Sequence, residues 1–278
     1  MTARRRLDAD GAICLLRAVL GGDAATVLEL TGHDVVLDVP RLPRATGAEG
    51  INDALGEARD AYPFQIVDLR PLHAIVSSDG LVAETRARLL DRGQEVILPF
   101  ALVDAVEDGA RTIRVYHSER LLTGVRRGRR VVFPVDSDAS PTLAAHPAVR
   151  AYMEATRSGD PGAILQRFAE NALLDNGVRP VTDPGELRAI VTAMAHSGGA
   201  RLVGGREFDD GRVVAFEYTG LPRASSVPDA PRTPPGGGIG IYTYDAQGRI
   251  VSVRMYDDFD PDALIAAGST PADSDHTA

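Results

Sequence analysis

The sequence predicts an α+β protein of two tandem cone-shaped domains, each a curved antiparallel sheet wrapped around three helices. Three observations predict it. The dipeptide Gly22-Asp23, which interrupts helical spacing, recurs as Gly159-Asp160 almost half a chain length later. The tripeptide Arg114-Val115-Tyr116 recurs as Arg254-Met255-Tyr256 in the same way. In both halves helical periodicity comes first and hairpin-linked strands follow, an order that curls one sheet over its helices.

In the first half, apolar residues fall at helical spacing over 8–20, and a second short helix follows Gly22-Asp23 over 24–30. Residues 33–39 carry Val35 and Val36 and read as a strand. A third helix over 49–61 closes before Pro63, because the residue preceding a proline disfavours helix. Strands then run over 66–75, 81–90, 95–106 and 111–121, separated by Ser78-Asp79-Gly80, Asp91-Arg92-Gly93 and Asp108-Gly109. The second half repeats this plan. Its helices are 148–156, 163–168 and 184–195; its strands are 172–176, 201–208, 212–219, 239–244 and 249–257. The expected division is a first domain over 1–124, a basic hairpin or linker over 125–145, a second domain over 146–268 and a flexible tail over 269–278.

Composition narrows the function. The chain of 278 residues is 44% hydrophobic and 25% charged, a globular balance. A net charge of −9 argues against nucleic acid, whose phosphates demand clustered cations. The run Arg126, Arg127, Arg129 and Arg130 reads as a solvated linker. There is no lysine. The single Cys14 has no disulfide partner and lies among Ile13, Leu15 and Leu16, so a buried, inert thiol in a reducing cytoplasm is expected. No apolar run is long enough for a signal peptide or a membrane span.

The second half resembles ketosteroid isomerase and the SnoaL-like polyketide cyclases, of the nuclear transport factor 2-like superfamily. The residues that carry this are Ala148-Val149-Arg150-Ala151-Tyr152, Gly159-Asp160 and Arg167-Phe168-Ala169-Glu170-Asn171-Ala172. Asp245-Ala246-Gln247-Gly248-Arg249-Ile250-Val251 and Arg254-Met255-Tyr256-Asp257 complete the pattern. It spans the second half with few gaps outside an insertion at 221–238. The first half resembles the family less closely, through Gly22-Asp23 and the hairpin order. The resemblance is specific for fold and weak for reaction, since this architecture hosts isomerases, dehydratases, cyclases, epoxide hydrolases and plain binding proteins. Tandem fusions of such domains are known among enzymes of secondary metabolism, polyether epoxide hydrolases included. Sheet faces in this family commonly pair, within a tandem or in a homodimer.

The isomerase uses a base aspartate after its first strand, a tyrosine on its first helix and a protonated aspartate on a central strand; the last two donate to a developing enolate. Tyr152 matches the helix tyrosine. The base position falls on Asn176, with Asp175 one residue earlier, and the protonated-acid position falls on Gly240. Ketosteroid isomerisation itself is therefore not expected. Asp175 sits one residue out of phase on its strand and would need a bulge to regain the role. SnoaL-type cyclases place an acid/base aspartate on the last strand, where Asp257 stands. Counting back by twos gives Met255, Val253 and Val251, an inward apolar row. A carboxylate ending such a row is desolvated and fit for proton exchange near neutrality; the competing reading is an exposed acidic turn. Ser252, Arg254, Tyr256 and Asp258 form the outward row.

In the first half His117 takes the place of Asp257, behind Ile113 and Val115, and is the side chain that titrates near neutral pH. Asp38 parallels Asp175 and is its partner to test. Leu15 or Leu16 stands where the second half has its helix tyrosine, so the first half is expected to lack a phenol. The candidate catalytic residues are thus Asp257, Tyr152, Asp175, His117 and Asp38, with Tyr242, Tyr244, Met255 and Asn176 as substrate contacts. Five prolines in Leu221–Gly238 suggest a lid.

No histidine pair, phosphate loop or nucleophile elbow is legible, so no cofactor and no metal are expected. Cofactor-independent cyclase or isomerase chemistry on a polyketide-like or terpenoid intermediate of secondary metabolism follows, with an apolar small molecule as partner. Epoxide hydrolysis or epoxide-opening cyclisation, and a non-catalytic binding or scaffold protein, are the alternatives.

Overall fold

The computed structural model describes residues 7–124, 130–133, 146–175, 179–196, 201–221 and 236–257. The chain divides into two compact units. Unit 1 comprises Met1–Arg129 with Phe208–Ala215 and Tyr256–Asp258; unit 2 comprises Arg130–Glu207, Phe216–Met255 and Phe259–Ala278. The basic and junction residues 125–129 and 134–145, the lid candidate over 222–235 and the tail all lie outside the described residues.

In the first half, α1 (Ala9–Gly21), α2 (Ala24–Thr31), β1 (Val35–Asp38), β2 (Ala45–Thr46), α3 (Gly47–Gly56) and α4 (Ala58–Ala61) come first. A meander follows: β3 (Gln65–Ser77), β4 (Gly80–Asp91), β5 (Gln94–Glu107), β6 (Ala110–Tyr116) and the short α5 (Arg120–Thr123). The second half runs α6 (Pro147–Ser158), α7 (Pro161–Leu165), β7 (Phe168–Asp175), β8 (Pro180–Val181) and α8 (Pro184–His196). Its sheet is completed by β9 (Arg201–Asp209), β10 (Val213–Leu221), β11 (Gly236–Tyr244) and β12 (Ile250–Met255). The two sheets have equivalent orders, β2-β1-β6-β5-β4-β3 and β8-β7-β12-β11-β10-β9. Two tandem α+β cone-like domains are therefore present.

The repeated Gly-Asp has a physical cause. Gly22, at φ 72, closes α1 in the left-handed conformation, and Asp23 immediately opens α2 by accepting from the Thr26 amide at 3.0 Å and its hydroxyl at 2.6 Å. Gly159, at φ 73, closes α6, and Asp160 opens α7 by accepting from the Gly162 amide at 2.8 Å. One dipeptide thus ends one helix and starts the next. The Thr26 hydroxyl, and then the Thr26 amide, hold the Asp23 carboxyl below its usual range. This cap therefore contributes fully above the ordinary carboxylate range and is lost as pH falls through the lowered native value.

The sheets are mixed rather than antiparallel. β1 pairs parallel with β6, Leu37 beside Ile113, and β7 pairs parallel with β12, Leu174 beside Val253. A whole excursion of helix and meander separates each such pair, which lets the chain re-enter in the same direction. Arg92 (φ 49) with Gly93 (φ 84), and Asp108 (φ 48) with Gly109 (φ 80), turn the hairpins with two successive positive φ values. β3 is an edge strand. Pro71 and two register shifts, at Ile66/Asp68 and Pro71/His73, blunt it against pairing with another chain, and the shifts leave Val67 and Leu72 exposed.

Several expectations are corrected. The strand expected over 111–121 stops at Tyr116, and Arg120–Thr123 winds into α5. The last strand stops at Met255. Tyr256, expected outward, is buried, and its hydroxyl donates to the Glu84 carboxylate at 2.6 Å. Val251, expected inward, is 37% exposed, because the register shifts between Ile250 and Ser252. Cys14 is exposed, not buried. The buried face of α1 is Ala12, Leu15, Leu16 and Val19, whereas Cys14 follows Asp10 by one turn and precedes Arg17 on the other face. Stoichiometric labelling of the folded protein by a thiol reagent is expected within minutes; protection until denaturant is added would contradict this placement.

The core of the first half packs Leu15, Leu16 and Val19 of α1 with Leu89, Leu98, Phe100, Leu102, Ile113 and Val115 of the sheet. Beside it, Arg111 grips Asp104 through two bonds of 2.8 and 2.6 Å and donates to the Leu30 and Thr31 carbonyls at 3.0 and 3.3 Å. This ion pair ties the meander to the C-terminal end of α2, where carbonyls lack helical partners.

Candidate active site

His117 lies one residue past the end of β6, behind Val115 of the core, and its side chain is fully buried. The ring meets Phe100 edge-on at 5.1 Å, so it faces the helix side of the sheet as alternation from Ile113 and Val115 predicted. Its Nε2 is 3.1 Å from the Tyr62 hydroxyl and 3.6 Å from Oε1 of Glu119; its Nδ1 is 3.3 Å from the Ser118 carbonyl.

The proton positions follow from Tyr62. Its hydroxyl donates to the Pro40 carbonyl at 2.5 Å, which commits its one proton and turns a lone pair toward His117. Nε2 must therefore carry hydrogen. With a carbonyl at Nδ1 and a carboxylate beside Nε2, the ring sees acceptors at both nitrogens, an arrangement that a doubly protonated imidazole satisfies. Glu119 is itself held by Arg41, whose Nε donates to Oε2 at 2.6 Å.

Sequence reasoning missed Tyr62, Glu119 and Arg41. Tyr62 is the residue that Pro63 forces out of helical conformation at the end of α4, and Glu119 stands two positions after His117; both signals were present. The first half does have a phenol, supplied by Tyr62 from the third helical segment rather than by α1, where Leu15 and Leu16 are core. Asp38 does not join His117. It is paired with Arg114 and shares that residue's face, opposite to the Leu37–Ile113 face, so strand alternation separates the expected partners.

In unit 2, Tyr152 of α6 is buried against Phe168, edge-on at 5.6 Å, and against Tyr242 at 5.8 Å. Tyr244 stacks on Tyr242 at 6.4 Å, and His146 stacks on Tyr244 at 4.8 Å. Met255 pairs with Gly240 on the same helix-facing side. A Cβ at Gly240 would lie 2.6 Å from the Tyr242 hydroxyl, and one at Gly238 would lie 2.8 Å from the Tyr218 hydroxyl. The glycines of β11 thus make room for two phenols, and the hydroxyl of Tyr242 fills the space that a side chain at 240 would need. Gly240→Ala is expected to cost about 1–3 kcal/mol, because Tyr242, packed on Tyr152, cannot swing aside. Thermal unfolding with near-ultraviolet circular dichroism reads it, and unchanged stability and spectrum would contradict the packing.

Asp175 is paired with Arg254, on the face opposite to Leu174 and Val253, so the register shift that precedes it does not bring it to the side of Tyr152. Asp257 lies beyond the end of β12, half-buried, and belongs to unit 1 while Tyr152 belongs to unit 2. Asn176 lies outside the described residues. Among the described residues no three His, Cys, Asp or Glu side chains are grouped as metal ligands, and no helix is long and apolar enough to cross a membrane.

With this geometry in place, the comparisons bear on the second half. Residues 149–253 match the family described as SnoaL-like domain. The second half carries a SnoaL-like domain. Solved structures similar to the chain include the epoxide hydrolase/cyclase-like enzyme SalBIII, of pyran ring formation in the polyether salinomycin, at 21% identity over 40% of this chain and 87% of that one, with a TM-score of 0.36. An M. tuberculosis LEH-like epoxide hydrolase is 22% identical over 44% and 88%, TM-score 0.34. An NTF2-like protein of unknown function from Cytophaga hutchinsonii is 17% identical over 45% and 98%, TM-score 0.33. Among curated proteins none matches the chain. The aromatic array from His146 to Phe168 lies in or beside the SnoaL-like domain; the His117 cluster lies outside it.

Proposed function

We propose that the chain is a cofactor-independent acid/base enzyme, a cyclase or isomerase of a polyketide-like or terpenoid intermediate, and that His117 is its proton-exchanging group. One observation carries this reading: a fully buried imidazole with Glu119 and a phenol at one nitrogen, on the helix side of a cone-like sheet. A carboxylate and a phenol at one nitrogen can pass a proton into and out of a buried ring.

In the resting arrangement Nε2–H donates to the Tyr62 oxygen. A substrate carbonyl oxygen takes the Tyr62 proton out of its bond to Pro40 while the phenol oxygen takes the Nε2 proton, which leaves the ring neutral at that nitrogen. The α-carbon of the protonated carbonyl then gives its proton to the phenol oxygen as the phenol passes its own back to Nε2, so an enol forms and the ring is protonated again. Glu119 offsets the charge of the protonated ring throughout. The same pairing of a carboxylate with an acid would serve epoxide opening, so that alternative shares these residues.

Deuterium incorporation into enolisable 1,3-diketones in D2O, followed by proton NMR, tests this. Saturable exchange that His117→Asn abolishes is the expected result. Exchange that survives His117→Asn and disappears with Tyr152→Phe would move the chemistry to unit 2. Binding of such ketones with no exchange above buffer would leave the chain a binding protein.

A further inference from the structure

The cluster around His117 contains one residue that touches both of its polar neighbours. Arg41 follows Pro40 in the loop between β1 and β2 and adopts φ 66, a left-handed conformation that non-glycine residues rarely accept. From there its guanidinium is directed three ways. Nε donates to Oε2 of Glu119 at 2.6 Å, Nη1 donates to the Ala61 carbonyl at 2.8 Å, and the group lies over the Tyr62 ring at 5.7 Å. Ala61 is the last residue of α4, directly before Tyr62. The side chain is 18% exposed, against 6% for Glu119 and none for His117.

We propose that Arg41 is the positioning residue of this site, acting on His117 through Glu119. By binding Oε2 it leaves Oε1 as the carboxylate oxygen facing Nε2 at 3.6 Å, beyond hydrogen-bond length. It also draws part of the carboxylate's charge to itself, so the ring keeps its proton less tightly than a dedicated Glu–His pair would hold it. The proposal rests on His117 being the acid/base group. Among the described residues, the charged and titratable groups against the ring are Glu119 from its own segment and Tyr62 from the end of α4, with Arg41 of the β1–β2 loop behind both; Phe100 of β5 adds an apolar wall.

The experiment is a pH titration of the His117 ring by 1H–15N NMR on the full labelled chain, the resonance being assigned by its loss in His117→Asn. Arg41→Gly is the informative variant, because glycine accepts φ 66 without strain and keeps the loop path. It is expected to raise the His117 midpoint by about one pH unit or more, since the cation that shares the charge of Glu119 is then removed. Arg41→Lys should restore most of the difference, and Glu119→Gln should lower the midpoint. In the Glu119→Gln background, Arg41→Gly is expected to change nothing further. An unchanged midpoint in Arg41→Gly would overturn the proposal. So would an equal rise in the Glu119→Gln background, which would mean that Arg41 acts on the ring directly. The titration is read without substrate, so an Arg41-dependent midpoint in a chain that exchanges no deuterium would fail the activity reading alone.

Discussion

His117→Asn is expected to lower proton-transfer turnover by about 10²- to 10⁴-fold, the usual worth of a positioned general acid/base. Asparagine preserves a donor at the buried position and removes proton exchange. The ring is fully buried, with Tyr62 at 3.1 Å and Glu119 at 3.6 Å, so some loss of stability accompanies the change and must be measured by thermal unfolding. Tyr62→Phe separates the two effects. It removes the hydroxyl that the proposed proton path uses and keeps the ring packing of Tyr62 on Phe64, 5.6 Å away. A folded Tyr62→Phe variant with turnover near that of the parent would remove the phenol from the proton path while leaving His117 in place. Wild-type turnover in His117→Asn would end the assignment.

Asp104→Ala is expected to produce the larger stability effect, about 3–5 kcal/mol, because it strands a buried cation. Arg111 and Asp104 are each only 6% exposed at the side chain, and the guanidinium spends its remaining donors on the carbonyls that end α2. Replacing both members with apolar residues of similar volume should cost less than Asp104→Ala alone, since the penalty lies in the unpaired charge. Denaturant unfolding of the single and double variants reads both numbers. A loss below about 1 kcal/mol in Asp104→Ala would show that water reaches Arg111 freely.

Much of the architecture was written in local chemistry. Glycine at φ 72 and 73 followed by a capping aspartate marks the same helix break in both halves, and the dipeptide is visible without coordinates because glycine suits the left-handed cap and aspartate the N-cap. The turns at Arg92-Gly93 and Asp108-Gly109 are legible for the same reason. Strand alternation correctly turned His117 toward the helices, since its predecessors Ile113 and Val115 are core. The same alternation failed at Val251, where a register shift puts Ile250 rather than Val251 on the buried face. Asp175 stands out of phase as its own alternation predicts, and Asp38 shares that phase beside Arg114; which strand lies alongside each was decided by β6 and β12, far away in sequence.

What the sequence by itself determined was the tandem α+β plan, the helix breaks, the hairpin order and the inward direction of His117; all of these depend on neighbours within a few residues. Only the tertiary structure decided who stands beside His117. Tyr62, Arg41 and Glu119 come from the end of α4, the β1–β2 loop and the turn after β6, and nothing in their local sequence fixes the distances between them. The parallel pairing of β1 with β6 and the packing of α3 and α4 bring those segments together, through long-range contacts whose geometry depends on the whole core rather than on any short pattern.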